Sequence, residues 1–133
     1  MRFVLDASVT ISWAMRDESY PVADLAFSEL ATGSAVVPGI WWYEIRNILV
    51  VNERRQRILP DDSVHFLDDL RQFSIAIDDQ PDSAAILALS RKHRCTVYDC
   101  AYLALAMRER LPLATLDKAL QTAATAAGVP LLK

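Results

Sequence analysis

Phe3-Val4-Leu5-Asp6-Ala7-Ser8 decides the fold. Three apolar residues run into a carboxylate, and an alanine and a serine follow at once. An uninterrupted apolar run reads as a strand covered on both faces, the habit of parallel sheets. In open parallel sheets, ligands bind beyond the carboxyl ends of the strands. Asp6 therefore stands at the mouth of the expected crevice. Ser8 is a good N-cap for a helix carrying Val9, Ile11, Trp13 and Met15.

The rest of the chain alternates in the same manner. Pro21 suits the first turn of a second helix, with Ala23, Ala26, Phe27, Leu30 and Ala31 spaced as one apolar face and Gly33 closing it. Ala35-Val36-Val37-Pro38 is a second strand, stopped by its proline. A long helix from about Trp41 to Arg55 carries Glu44 in its first turn, with Asn47, Ile48 and Val51 along the same face. Pro60-Asp61-Asp62-Ser63 opens another helix with acids where the helix dipole favours them; its apolar stripe is Val64, Leu67, Leu70 and Phe73. Ile75-Ala76-Ile77-Asp78 is a third strand, and Pro81-Asp82 opens a helix running to Arg94. Thr96-Val97-Tyr98 is a short β-prone run ending at Asp99, and the apolar stretch from Cys100 to Met107 marks a buried central helix. Pro112-Leu113-Ala114-Thr115 is a further strand, followed by Asp117, a helix from Lys118 to Ala127, Gly128 and a final strand Val129-Pro130-Leu131-Leu132. This order predicts an α/β fold: one domain over residues 1–133, with a mainly parallel central sheet of about five short strands flanked by helices in an α/β/α sandwich.

A chain of 133 residues, 53% of them hydrophobic, supports one substantial core. No apolar stretch approaches the roughly 18 residues that cross a bilayer, and Met1-Arg2-Phe3 opens no signal peptide. The expectation is a soluble, cytoplasmic protein with no membrane contact. Two cysteines, Cys95 and Cys100, read as reduced and buried thiols. His65 and His93 are isolated, so a structural zinc finds no ligand set. A net charge of −3 and a pI near 5.3 argue against a protein that grips nucleic acid by phosphate neutralisation. They leave room for an enzyme whose bound cations invert the local sign. Only three glycines occur, so neither a P-loop nor a dinucleotide fingerprint is present. Without a nucleophile elbow, a Ser-His-Asp site has nothing to build on.

Three carboxylates share one address. Asp6, Asp99 and Asp117 each follow a short apolar strand where a helix begins, and Glu44 reaches the same edge if its helix packs beside the first strand. Two carboxylates about 4 Å apart repel by about 4 kcal/mol at an effective dielectric of about 20. Without compensation one acid stays protonated. A hard divalent cation removes that conflict, since Mg²⁺ prefers carboxylate oxygens and keeps waters for substrate phosphates, and nucleases use such ions for in-line attack on phosphodiesters. Any one of these acids alone is explained as a helix cap; the repeated pattern is what points to chemistry. Asp17, Glu18, Asp61, Asp62, Asp68, Asp69, Asp78, Asp79 and Asp82 lack that placement and read as solvated surface or caps.

Val4-Leu5-Asp6-Ala7-Ser8, Trp42-Tyr43-Glu44-Ile45-Arg46-Asn47, Tyr98-Asp99-Cys100-Ala101-Tyr102-Leu103-Ala104-Leu105-Ala106 and Ala114-Thr115-Leu116-Asp117-Lys118-Ala119-Leu120 together resemble a PIN domain. More narrowly they resemble the VapC-type toxin ribonucleases of toxin–antitoxin pairs, and the resemblance covers nearly the whole chain. It implies a Mg²⁺- or Mn²⁺-dependent endoribonuclease of RNA, restrained by a cognate antitoxin and often a homodimer. It matches Asp6, Glu44, Asp99 and Asp117 to an acidic metal-binding and catalytic quartet, Ser8 and Thr115 to supporting hydroxyls, and Asn47 to a supporting amide. Asp6 and Asp99 are then the principal anchors of the cation, and cleavage leaves 5′-phosphate and 3′-hydroxyl ends.

Arg46, Arg54 and Arg55 are candidates for guiding the RNA backbone, with solvated helix ends as the bland alternative. Trp13 reads as core; Trp41 and Trp42 cannot point the same way on a helix, so one of them is a candidate partner contact. Two rival functions differ in class: a catalytically inactive PIN-like scaffold that only binds partners, and a receiver-like phospho-switch domain. The latter needs adjacent acids after its first strand, whereas Ala7 and Ser8 follow Asp6.

Overall fold

The computed structural model describes residues 1–133. Its strands are β1 (Arg2–Leu5), β2 (Ser34–Pro38), β3 (Ile75–Asp78) and β4 (Leu113–Ala114), and its helices α1 (Ala7–Ser12), α2 (Pro21–Leu30), α3 (Ile40–Arg54), α4 (Pro60–Leu70), α5 (Ser83–His93), α6 (Val97–Glu109) and α7 (Lys118–Ala126). All strands pair in parallel, in the order β3-β2-β1-β4. The apolar run that opens the chain lies in the middle of this sheet: Phe3, Val4 and Leu5 are wholly buried. Val4 stands beside Val36, and Leu5 beside Ala114. α6 packs across β1, β2 and β4 and against α5 and α7, while α2 covers β2 and β4 and meets α1.

Four expectations about secondary structure change. The final strand shrinks to a single parallel bridge, Leu131 to Leu113, so the sheet has four strands where about five were expected. Thr96-Val97-Tyr98 forms no strand: the Thr96 hydroxyl accepts the Asp99 N–H at 3.1 Å as the N-cap of α6, and Val97 is already helical. Cap and apolar run together override the β preference of three residues. Ser8 lies inside α1, because Asp6 already occupies the N-cap position. Glu44 is the fifth residue of α3, just beyond its first turn.

Trp13 is a core residue as expected: its indole N–H donates to Ala23 O at 3.0 Å, and its ring meets Phe27 edge-on with centroids 5.5 Å apart. Trp41 is buried and Trp42 half-exposed, which leaves only Trp42 as a candidate contact. Asp17 and Glu18 are not simply solvated, since both pair with Arg57 at 3.1 Å. Asp78 likewise pairs with Arg108 at 2.6 Å.

One buried chain of hydrogen bonds fixes α3 to the end of β1. The Trp41 indole N–H donates to the Thr10 hydroxyl at 3.0 Å, and that hydroxyl donates to Asp6 O at 3.1 Å. Thr10→Val keeps the shape and strands the buried indole donor, at a cost of about 1–3 kcal/mol. We expect a lower urea midpoint with an unchanged m-value. An unaltered midpoint would show that this link does not fasten α3.

Candidate active site

Asp6 is only 6% exposed. Its backbone N–H donates to Ala114 O at 3.0 Å, carrying the β1–β4 pairing one residue past the strand. Two hydroxyls donate to the same carboxylate oxygen, Oδ2: Ser8 at 2.6 Å and Thr115 at 2.7 Å. The Ser8 Oγ in turn accepts the Leu116 N–H, and the Thr115 Oγ1 accepts the Asp117 N–H, each at 3.0 Å. The turn after β4 is thus laced to the turn after β1, and the two hydroxyls singled out in the sequence both touch Asp6.

Asp117 follows β4, as expected, and caps α7, its Oδ1 accepting the Leu120 N–H at 3.1 Å. Helices deliver the other two acids. Asp99 is the third residue of α6, not the end of a strand. Glu44 projects from α3, where its Oε1 accepts the Tyr102 hydroxyl of α6 at 2.6 Å. Tyr102 is wholly buried. It lies within one of the quoted motifs, yet nothing in the sequence gave it a role. The available signal was the one hydroxyl within the apolar run from Cys100 to Met107, since a buried hydroxyl needs a partner.

None of the four acids takes part in an ion pair. Burial holds the carboxyls of Asp6, Glu44 and Asp99 above the usual carboxylate range, despite hydroxyls that favour the charged form. Mutual repulsion adds to this: Asp117 raises Asp6, Asp6 and Asp99 raise Glu44, and Asp117 and Asp6 raise Asp99. Every pair except Glu44–Asp117 is therefore within electrostatic reach. As the side chains stand, no three of them close around one ion position. The donor set is all oxygen, which suits a hard cation that keeps part of its water shell.

Asn47 is exposed, three residues after Glu44 on the same flank of α3. Arg46 is turned to other work: its guanidinium lies 3.5 Å from the centroid of the Trp42 ring and donates to Trp42 O at 3.0 Å. Arg54 and Arg55 are exposed at the far end of α3, about 15 Å along the helix from Glu44. A cavity of about 820 Å³ between α5 and α6 is lined by Pro38, Ile86, Leu89, Ala104 and Met107 among others and contains none of the four acids.

A carboxyl raised in the folded state binds its proton more tightly there than in the unfolded chain. Its stabilising contribution is full below the unfolded value and falls as pH rises through the folded one. Without metal, Asp6→Asn should therefore raise Tm at pH 7 by a few degrees, and the gap should close towards pH about 4. Thermal unfolding of both proteins across that range checks this; a variant less stable at neutral pH would contradict it.

The PIN domain family matches residues 3–126 of this chain. Ribonuclease VapC3 of Pyrobaculum aerophilum is 32% identical over 126 residues, spanning 90% of this chain and 92% of that protein. The crystal structure of PAE2754 from Pyrobaculum aerophilum shares the fold, with a TM-score of 0.71 at 21% identity over 92% of this chain and 87% of the other. With matching sequence along almost its full length and a fold to agree, the chain belongs to the PIN domain family, among its VapC-type proteins.

Proposed function

We propose that this protein is a divalent-metal-dependent endoribonuclease, the toxin of a toxin–antitoxin pair, and that residues 1–133 act as its one nuclease domain. The observation that carries the reading is the buried Asp6 with three further carboxylates within electrostatic reach of it, none of the four paired with a basic side chain. Likeness to a protein named a ribonuclease supports it.

Asp6 and Asp99 are the principal anchors for Mg²⁺ or Mn²⁺, and Glu44 and Asp117 complete the site directly or through water. When bound, such a cation polarises a phosphodiester and supplies an activated water for in-line attack, leaving 5′-phosphate and 3′-hydroxyl ends. Ser8 and Thr115 fix Asp6 through Oδ2, Tyr102 fixes Glu44, and Asn47 stands beside Glu44 as a supporting amide. Arg54 and Arg55 are left free to guide the RNA backbone, whereas Arg46 is held by Trp42. No helix is long and apolar enough to cross a membrane. The place proposed for the protein is the cytoplasm, beside an antitoxin and a second toxin copy. The receiver-like alternative falls with the family assignment; the inactive scaffold is separated by the assay below.

Asp99→Asn should keep the fold and lower RNA cleavage by more than about 100-fold, and chelation of divalent metal should abolish wild-type cleavage until Mg²⁺ or Mn²⁺ is restored. Independently of activity, Mn²⁺ should raise the wild-type Tm and do so much less for Asp6→Asn. Full cleavage by Asp99→Asn or by chelated enzyme overturns the assignment. For the backbone guide, Arg54→Glu with Arg55→Glu should weaken RNA binding and flatten its dependence on salt, read by fluorescence anisotropy in chelator; an unchanged salt slope leaves these arginines as solvated helix ends.

A further inference from the structure

Neither cysteine has a part in the proposed chemistry, yet their sulfurs are 3.0 Å apart. Both are free thiols, Cys100 buried and Cys95 half-exposed. They bracket the start of α6, which carries Asp99. Cys95 lies in the short link between α5 and α6, just after Arg94, whose backbone is left-handed at φ 54°. Its carbonyl accepts the Ser90 hydroxyl at 2.6 Å. Thr96, the next residue, caps the turn that presents Asp99.

We propose that Cys95 and Cys100 form a thiol–disulfide site, closed by a peroxide and reopened by a low-molecular-weight thiol. The half-exposed Cys95 meets the oxidant: its sulfur attacks the peroxide O–O bond, giving Cys95 sulfenic acid and releasing water or an alcohol. The Cys100 sulfur then attacks the sulfenic sulfur, the S–S bond forms, and the hydroxyl leaves as water with the Cys100 proton. Two electrons pass from the sulfur pair to the peroxide, and two equivalents of thiol return them. Disulfides in reducing compartments are commonly of this transient, sensing kind.

Closing the bond brings the sulfurs to about 2.05 Å, a movement of about 1 Å. Cys100 is a wholly buried residue of α6 itself, so the displacement falls on the Cys95–Thr96 link. That link carries the cap of the Asp99 turn, and a shift of this size at a supporting group is enough to impair a positioned site. The oxidised form should therefore cleave RNA more slowly. This last consequence rests on the ribonuclease reading; the disulfide itself does not.

The full chain is treated with hydrogen peroxide, then denatured and alkylated, and its mass is measured with and without dithiothreitol. Alkylatable thiols should fall from two to none, with loss of two hydrogens, and the chain should remain a single chain on a non-reducing gel. Two thiols that stay alkylatable, or crosslinks between chains, overturn the site. Cleavage by the oxidised protein should drop several-fold and recover with dithiothreitol, while Cys95→Ser and Cys100→Ala cleave alike with and without peroxide. Intramolecular closure with unchanged cleavage overturns the coupling to Asp99. Absence of cleavage by the reduced protein counts against the ribonuclease reading alone, because the thiol count decides the disulfide separately.

Discussion

A carboxylate held almost out of water at the end of the central strand sets terms for everything around it. The effective penalty for removing one ion from water is several kcal/mol. Hydrogen bonds to a charged group return about 1.5–3 kcal/mol each, and Asp6 has two from side-chain hydroxyls, Ser8 and Thr115. Burial outweighs these hydrogen bonds, and Asp117 adds a little repulsion, so the Asp6 carboxyl stays above its ordinary range. The chain tolerates this because Thr115 and Ser8 are brought together from opposite ends of the sequence by β1–β4 pairing. Parallel pairing is thus the cause of the site's geometry as well as of the fold.

The four acids are held with unequal rigidity. Asp6 and Asp117 follow strands, and their turns are tied to each other through the two hydroxyls. Glu44 and Asp99 project from helices, and their separation depends on how α3 and α6 pack. A single bond, the Tyr102 hydroxyl to Glu44, crosses between those helices at the site. Helix ends open at lower free energy than the interior of a sheet. The half of the site built on strands is therefore the fixed reference, and the helical half is the part that the Cys95–Thr96 link and the Tyr102 bond hold in place.

Much of this was legible in the residues, for local reasons. Phe3 to Leu5 announced a buried strand, and Ile75–Asp78 is the third strand with its expected bounds. What escaped was decided by context. Thr96-Val97-Tyr98 has the composition of a strand, but Thr96 can cap and an apolar helix follows, so the helix wins. Ser8 is a good cap that arrived two residues late, since Asp6 had already taken the position. Arg57 finds Asp17 and Glu18 across about forty residues, and Tyr102 finds Glu44 across fifty-eight. Such pairs depend on tertiary proximity, which no local pattern carries.

The openness of the carboxylate group bears on the proposed chemistry. A closed cage of three or four carboxylates would concentrate repulsion without an ion and would leave no coordination position for substrate. Side chains on two turns and two helices, with no three converging on one point, lessen the first problem without removing it. They also leave the remaining positions to water and phosphate oxygens, as Mg²⁺ requires. The acidic balance of the whole protein then has a consistent meaning. With a net charge of −3, the surface offers a polyanion little general attraction, so the proposed cleavage of RNA would depend on positive charge bound at the site itself. Burial, with mutual repulsion added to it, raises the carboxyls of Asp6, Glu44 and Asp99, and the divalent cation proposed for the site would offset both.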